Sequence, residues 1–313
     1  MAIQIILLIA GFILLIKGAS WFVDSASGIA VRAGIPQLVI GLTIVAIGTS
    51  LPEAAVSISS TVKGYAGIAV GNVVGSNILN ILLILGITAV LTPLAVRKST
   101  MRFEIPFMTA VSVLLSVCGL ADNRLGRTEG VILVVLFLCY LGYLAYMSRT
   151  DIETADDDTV SPTESKPVYK LLLILAAGIA CTVLGSSITV DAATEIAEAI
   201  GISDRVIGLT VVAFGTSLPE LVTCIIAAAR KNADIAVGNI VGSNIFNILF
   251  ILGSCACISP LDYSRDFLLD SIMCTASAVL LLLLILNRDR KLARWGGAVM
   301  LAVYAGYFIS MVL

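Results

Sequence analysis

GLTIVAIGTSLPEAAVSI, residues 41–58, sits in an apolar run long enough to cross a bilayer, yet carries a proline and a carboxylate. It occurs twice. Residues 208–225 read GLTVVAFGTSLPELVTCI, 167 positions later, with 12 of 18 aligned residues identical and GTSLPE intact in both. A proline lacks an N–H and displaces the carbonyl four residues earlier. Pro52 therefore frees the carbonyl of Gly48, and Pro219 that of Gly215. The expected result is a helix broken at membrane depth. Such a break is tolerated only where the freed carbonyls line a polar cavity or are buried in protein.

Outward from this stretch, the chain is apolar throughout. Hydrophobic residues make up 59% of the 313, charged residues 13%, and the mean hydropathy is +1.06. No soluble domain of this size has so apolar a surface, so the chain is a polytopic protein of the lipid bilayer. Ten apolar runs (3–24, 38–61, 67–90, 103–121, 128–147, 169–191, 205–229, 234–257, 267–286 and 292–312) predict an all-α fold of ten transmembrane helices. Runs of this length exclude a β-barrel, whose strands alternate over about ten residues. The N-terminus has no basic n-region and no small-residue cleavage site, and is expected to form the first span. A net charge of −2 with no basic face excludes nucleic acid as a partner. The seven cysteines fall in or at the ends of apolar runs and are expected to be small fillers. Histidine is absent, which removes the usual zinc ligand and the usual general base.

The repeat extends beyond the opening stretch. Residues 71–86, GNVVGSNILNILLILG, return at 238–253 as GNIVGSNIFNILFILG, with 13 of 16 identical. At the same offset Gly18 matches Gly185, Ser20 matches Ser187, Asp24 matches Asp191 and Gly34 matches Gly201. Each half then holds five spans, an odd number, so the second half must cross in the opposite sense. This is an inverted-topology repeat, in which the substrate site lies near the midplane between the halves. The expected organisation is a first five-helix repeat at 1–147, an acidic linker at 148–168 and a second, inverted repeat at 169–313. With the N-terminus outside, the inner loops hold 13 Lys and Arg residues and the outer loops 5. Both termini are thus expected outside the cell membrane and the linker in the cytoplasm.

Glu53 and Glu220 are the only carboxylates placed near mid-membrane, where an acid costs about 2.5–3.5 kcal/mol. No Lys or Arg stands at a matching depth on the neighbouring spans, which leaves bound cations or protons as compensation. Thr49, Ser50, Ser76 and Asn80, with Thr216, Ser217, Ser243 and Asn247, supply only oxygen ligands. Ser76 and Asn80, four apart, share a helix face, as do Ser243 and Asn247. The GxxxG pairs Gly71/Gly75 and Gly238/Gly242 permit close helix approach. Such a site suits a hard cation, Ca²⁺ or Na⁺. Glu104, Glu129 and Asp270, near span ends, are expected at the interface. An intramembrane hydrolase would need a nucleophile–base pair that is not evident, so the chain is read as no enzyme. A Ca²⁺ channel would not need the inverted repeat.

GTSLPE paired with GNVVGSNILN, and again with GNIVGSNIFN, resembles the α-repeats of the sodium/calcium exchanger family in the cation/calcium antiporter superfamily. The resemblance covers nearly the whole chain. It implies ten helices and alternating access. The expected function is Na⁺/Ca²⁺ antiport, which a balance of ion gradients makes electrogenic, with no cofactor and no obligate protein partner. The resemblance further implies that Glu53 and Glu220 bridge Ca²⁺ and that Thr49 and Thr216 offer it backbone oxygens. Ser50, Ser76, Ser217 and Ser243, with the carbonyls of Ala46 and Ala213, would flank it with Na⁺ sites, and Asn80 and Asn247 would complete the centre. Many members carry Asp at the position of Asn247. Proton/calcium exchangers of the superfamily also carry two glutamates, and H⁺/Ca²⁺ exchange is the alternative.

Overall fold

The computed structural model describes residues 2–122, 124–150, 167–200, 213–263, 265–287 and 289–312. Most of the linker, Gly201, Arg205 and the first part of the second signature copy lie outside the described residues.

Each of the ten apolar runs is helical where described. The first half comprises α1 (Ala2–Ala33), α2 (Gln37–Thr49), α3 (Leu51–Val62), α4 (Gly67–Leu91), α5 (Ile105–Asp122) and α6 (Arg127–Thr150). The second comprises α7 (Val168–Ala199), α8 (Ala213–Thr216), α9 (Leu218–Ala229), α10 (Ala233–Ile258), α11 (Arg265–Ile285) and α12 (Arg294–Val312). Six of the described helices are long and apolar enough to cross a membrane, and the bent pair α2–α3 makes a seventh span. The expected break is real: α2 and α3 meet at 49°. Ser50 between them has φ −84° and ψ 11°, and Ser217 between α8 and α9 has φ −93° and ψ 7°.

The fold is all-α, with four two-residue strands among the described connections: β1 (Leu94–Ala95), β2 (Arg124–Leu125), β3 (Leu261–Asp262) and β4 (Lys291–Leu292). They show how the halves are related. Leu94 pairs with Leu292 and Ala95 with Lys291; Leu125 pairs with Leu261 and Arg124 with Asp262. Moving each residue by 167 positions converts one ladder into the other, so a two-fold relates the halves. The helix α5 separates β1 from β2, and β2 lies beside β3. The equivalent helices α4 and α10 lead into β1 and β3, which therefore lie at opposite ends of α5. The equivalent spans run in opposite directions, as an inverted repeat requires.

α1 and α7, 32 residues each, pack against one another. Their glycines allow it: a Cβ on Gly185 would lie 2.5 Å from the Leu15 nitrogen, and one on Gly18 2.6 Å from the Thr182 nitrogen. α4 and α10 form the centre. The α10 window is 94% buried and the α4 window 78%, against 22% for α1. Helices apolar all round belong inside, and these two carry the GSN blocks. Gly242 brings α10 onto α2, since a Cβ there would meet the Leu42 carbonyl at 2.5 Å and the Ala46 Cβ at 2.8 Å. Both central helices loosen into π-helical turns at equivalent places, Leu79–Leu85 and Asn247–Leu252. π turns recur at functional sites.

Candidate cation site

Pro52 and Pro219 are the second residues of α3 and α9, just after the break, so Glu53 and Glu220 fall in the first turn of a helix. The positive end of the helix dipole favours a carboxylate there. Both glutamates are fully buried. Among the described residues no Lys or Arg forms an ion pair with either.

Each carboxylate is held from the opposite half. The Ser50 hydroxyl donates to Glu220 Oε1 at 2.9 Å, and the Ser217 hydroxyl donates to Glu53 Oε1 at 3.2 Å. Ser50 Oγ also lies 2.9 Å from Ser243 Oγ, which is 3.3 Å from the Ala46 carbonyl. Thr216 lies against Glu53, and Thr49 against Glu220. Thr49 turns its hydroxyl toward the carbonyls of Val45 (3.2 Å) and Ala46 (3.3 Å) and toward Asn239 Oδ1 (3.1 Å). Ser76 is buried on α4, one turn before Asn80. Ala213 begins the described part of the second copy.

The two halves of the centre are joined through amides. Asn77 Nδ2 donates to the Asn244 carbonyl at 3.1 Å, and Asn244 Nδ2 to the Asn77 carbonyl at 3.3 Å. Asn80 Nδ2 donates to Asn244 Oδ1 at 3.1 Å, and Asn247 Nδ2 to Asn77 Oδ1 at 3.0 Å. Among the buried side-chain oxygens left without a hydrogen-bond partner, which also include the Thr216 hydroxyl, four are acceptors at the centre: Glu53 Oε2, Glu220 Oε2, Asn80 Oδ1 and Asn247 Oδ1. They form two pairs related by the two-fold. Buried polar atoms are nearly always paired, so four orphan acceptors on these elements call for a cation or protons.

Four findings refine or depart from the sequence expectation. Asn77 and Asn244 join the halves, although helix-face spacing had selected only Ser76 with Asn80 and Ser243 with Asn247. Asn72 Nδ2 supports α3, donating to Ser57 Oγ at 2.9 Å and to the Glu53 carbonyl at 3.3 Å. The identity of both asparagines in the two copies was the available signal. The Gly215 carbonyl, freed by Pro219, is taken by Ser186 Oγ at 2.8 Å and so is buried in protein rather than left open. Glu104, expected at the interface, is buried and accepts from the Tyr143 hydroxyl at 2.9 Å, because α6 folds back over it.

The family model described as sodium/calcium exchanger protein matches residues 3–146 and 170–313. The putative antiporter CaxA of Alkalimonas amylolytica is 38% identical over 315 residues, covering 98% of each chain. The sodium/calcium exchanger MaX1 of Methanosarcina acetivorans is 33% identical over 350 residues, covering 99% of this chain and 98% of that one. Among solved structures, the sodium-calcium exchanger NCX_Mj superposes with a TM-score of 0.85 at 33% identity, over 98% of each chain. The chain belongs to the sodium/calcium exchanger family and is a membrane cation/Ca²⁺ antiporter, not an enzyme.

Proposed function

We propose that this antiporter expels Ca²⁺ by admitting Na⁺, through alternating access between the two inverted halves. The observation that carries the reading is the set of four donor-less buried oxygens between them, two from carboxylates and two from amides. An unpaired buried acceptor costs about 1–3 kcal/mol, so such a set calls for a cation or a proton to compensate it. Two carboxylates balance one Ca²⁺, and the all-oxygen shell suits hard cations. Glu53 and Glu220 bridge Ca²⁺, Asn80 and Asn247 close the centre, and Thr49 and Thr216 contribute backbone oxygens. Ser50, Ser76, Ser217 and Ser243, with the carbonyls of Ala46 and Ala213, line the flanking Na⁺ positions. The repeats at 1–147 and 169–313 move against each other, with both termini outside and the linker at 148–168 in the cytoplasm. The excess of Lys and Arg on the loops assigned to the inside supports that orientation.

Energetics supports the stoichiometry. Against a 10⁴-fold gradient and 100 mV, expelling one Ca²⁺ costs about 10.2 kcal/mol. One Na⁺ entering down a tenfold gradient supplies about 3.7 kcal/mol. Two are too few and three suffice, so exchange is electrogenic. The experiment is radioactive Ca²⁺ uptake into Na⁺-loaded proteoliposomes with the membrane potential clamped. Uptake should require the Na⁺ gradient and respond to voltage. Uptake driven by a pH gradient alone would instead establish H⁺/Ca²⁺ exchange, and electroneutral flux would overturn the three-to-one ratio.

A further inference from the structure

The orientation of the central amides is set from outside the ion shell. Asn77 and Asn244 are both buried, and each aims its Nδ2 at the other's backbone carbonyl. A carbonyl can only accept, so those ends must be the amide nitrogens. Each Oδ1 then faces the other way and requires a donor. On Asn77 that donor is Asn247 Nδ2; on Asn244 it is Asn80 Nδ2. With their nitrogens engaged by these acceptors, Asn247 and Asn80 turn Oδ1 the other way, and both of these oxygens are without a partner. Reversing any amide in the chain would set acceptor against acceptor.

We infer that Asn77 and Asn244 are positioning residues. They act through Asn247 and Asn80, holding each amide with its oxygen toward the cation and its NH₂ away from it. Without them an amide can turn and present two donors to a positive ion. Chains of hydrogen bonds also polarise one another, which strengthens the terminal oxygen as a ligand. The dependence is crossed between halves: Asn77 governs Asn247, and Asn244 governs Asn80. It does not run from Asn77 to Asn80, although these stand one turn apart on the same helix. The inference rests on the proposed Ca²⁺ site and names what fixes its geometry.

Double-mutant cycles on Ca²⁺ binding to the purified full-length protein test it, with thermal unfolding measured in parallel. Loss of a group that orients a metal ligand typically weakens affinity 10- to 100-fold, so Asn77→Ala should weaken Ca²⁺ binding by about tenfold. Asn247→Ala combined with Asn77→Ala should bind within about twofold of Asn247→Ala alone, because no amide remains to be oriented. Asn80→Ala combined with Asn77→Ala should multiply the two losses, as independent sites do. Multiplying losses in the crossed pair would overturn the inference, as would lowered thermal stability with unchanged affinity. If Asn77→Ala does not fold, the mirror cycle of Asn244→Ala with Asn80→Ala takes its place. Failure of both to fold would also overturn it, because the residues would then hold the helices together rather than orient amides. Absence of Ca²⁺ binding by the unaltered chain is a different result and would overturn the site itself.

Discussion

The two halves agree at the centre of the molecule and differ at its rim. At the centre, Ser50 on Glu220 mirrors Ser217 on Glu53, and the Asn77–Asn244 exchange is its own mirror. At the rim, α1 packs along α9, whereas α7 makes no such extended contact with α3 among the described residues. Arg230, at the end of α9, pairs with Asp24 and donates to Ser20 Oγ at 2.6 Å. The equivalent positions, Lys63 and Asp191, form no ion pair among the described residues. Arg97 pairs with Asp234 at 2.5 Å, and the equivalent of Asp234 is Gly67. Equivalent side chains are correspondingly unequal: Leu51 is 44% exposed and Leu218 8%, Val56 is 40% exposed and Thr223 fully buried.

Under the proposed mechanism an ion gripped between two copies of one motif calls for matching ligands from each, which the two-fold at the centre supplies. Alternating access calls for the two sides to differ whenever one is open, and the rim differs.

The comparison makes claims that can be broken. Equality at the centre requires Glu53→Gln and Glu220→Gln to be equally severe, each lowering Na⁺-dependent Ca²⁺ flux at least about 100-fold, on the scale of metal-site losses. Near-normal flux in either mutant would remove that glutamate from the site. Asn247→Asp makes the centre unequal by placing a second acceptor against Asn77 Oδ1. It should change the Na⁺ or pH dependence of exchange, and an unaltered profile would show that the amide's donor is dispensable. Gly242→Ala tests the packing beneath the centre. With the Leu42 carbonyl only 2.5 Å from the new Cβ, unfolding should become easier by about 1–3 kcal/mol.

The rim effects are smaller. Arg230→Ala should cost about 1 kcal/mol or less, because both partners of its ion pair are more than a third exposed, and Lys63→Ala should cost nothing measurable. Equal costs would mean that the asymmetry of the rim carries no energy. The smallest effect concerns the turn after α3 and α9. Gly64 has φ 86°, and its equivalent, Lys231, has φ 61°. A side chain is strained in that region, but glycine gains entropy when unfolded. Lys231→Gly should therefore raise the midpoint of thermal unfolding by only about 0.5 kcal/mol equivalent.

Hydrophobic run length and the 167-residue offset determined much by themselves. They predicted helices throughout, two halves of opposite sense, a break at each GTSLPE and a pair of acids in need of a cation. These are local or periodic properties: proline geometry acts within four residues, and a repeat is visible wherever it lies. Only the tertiary structure decided which oxygens are free. Ser186 claims the carbonyl of Gly215 from 29 residues away, and α6 buries Glu104. Asn77 looked incidental because face spacing compares residues along one helix, whereas its partners stand on the helix of the other half, 167 and 170 residues on. The rim also had to come from the structure. One repeat encodes both pairs of helices, and that α1 packs along α9 without a matching α7–α3 contact among the described residues depends on how the same helices pack.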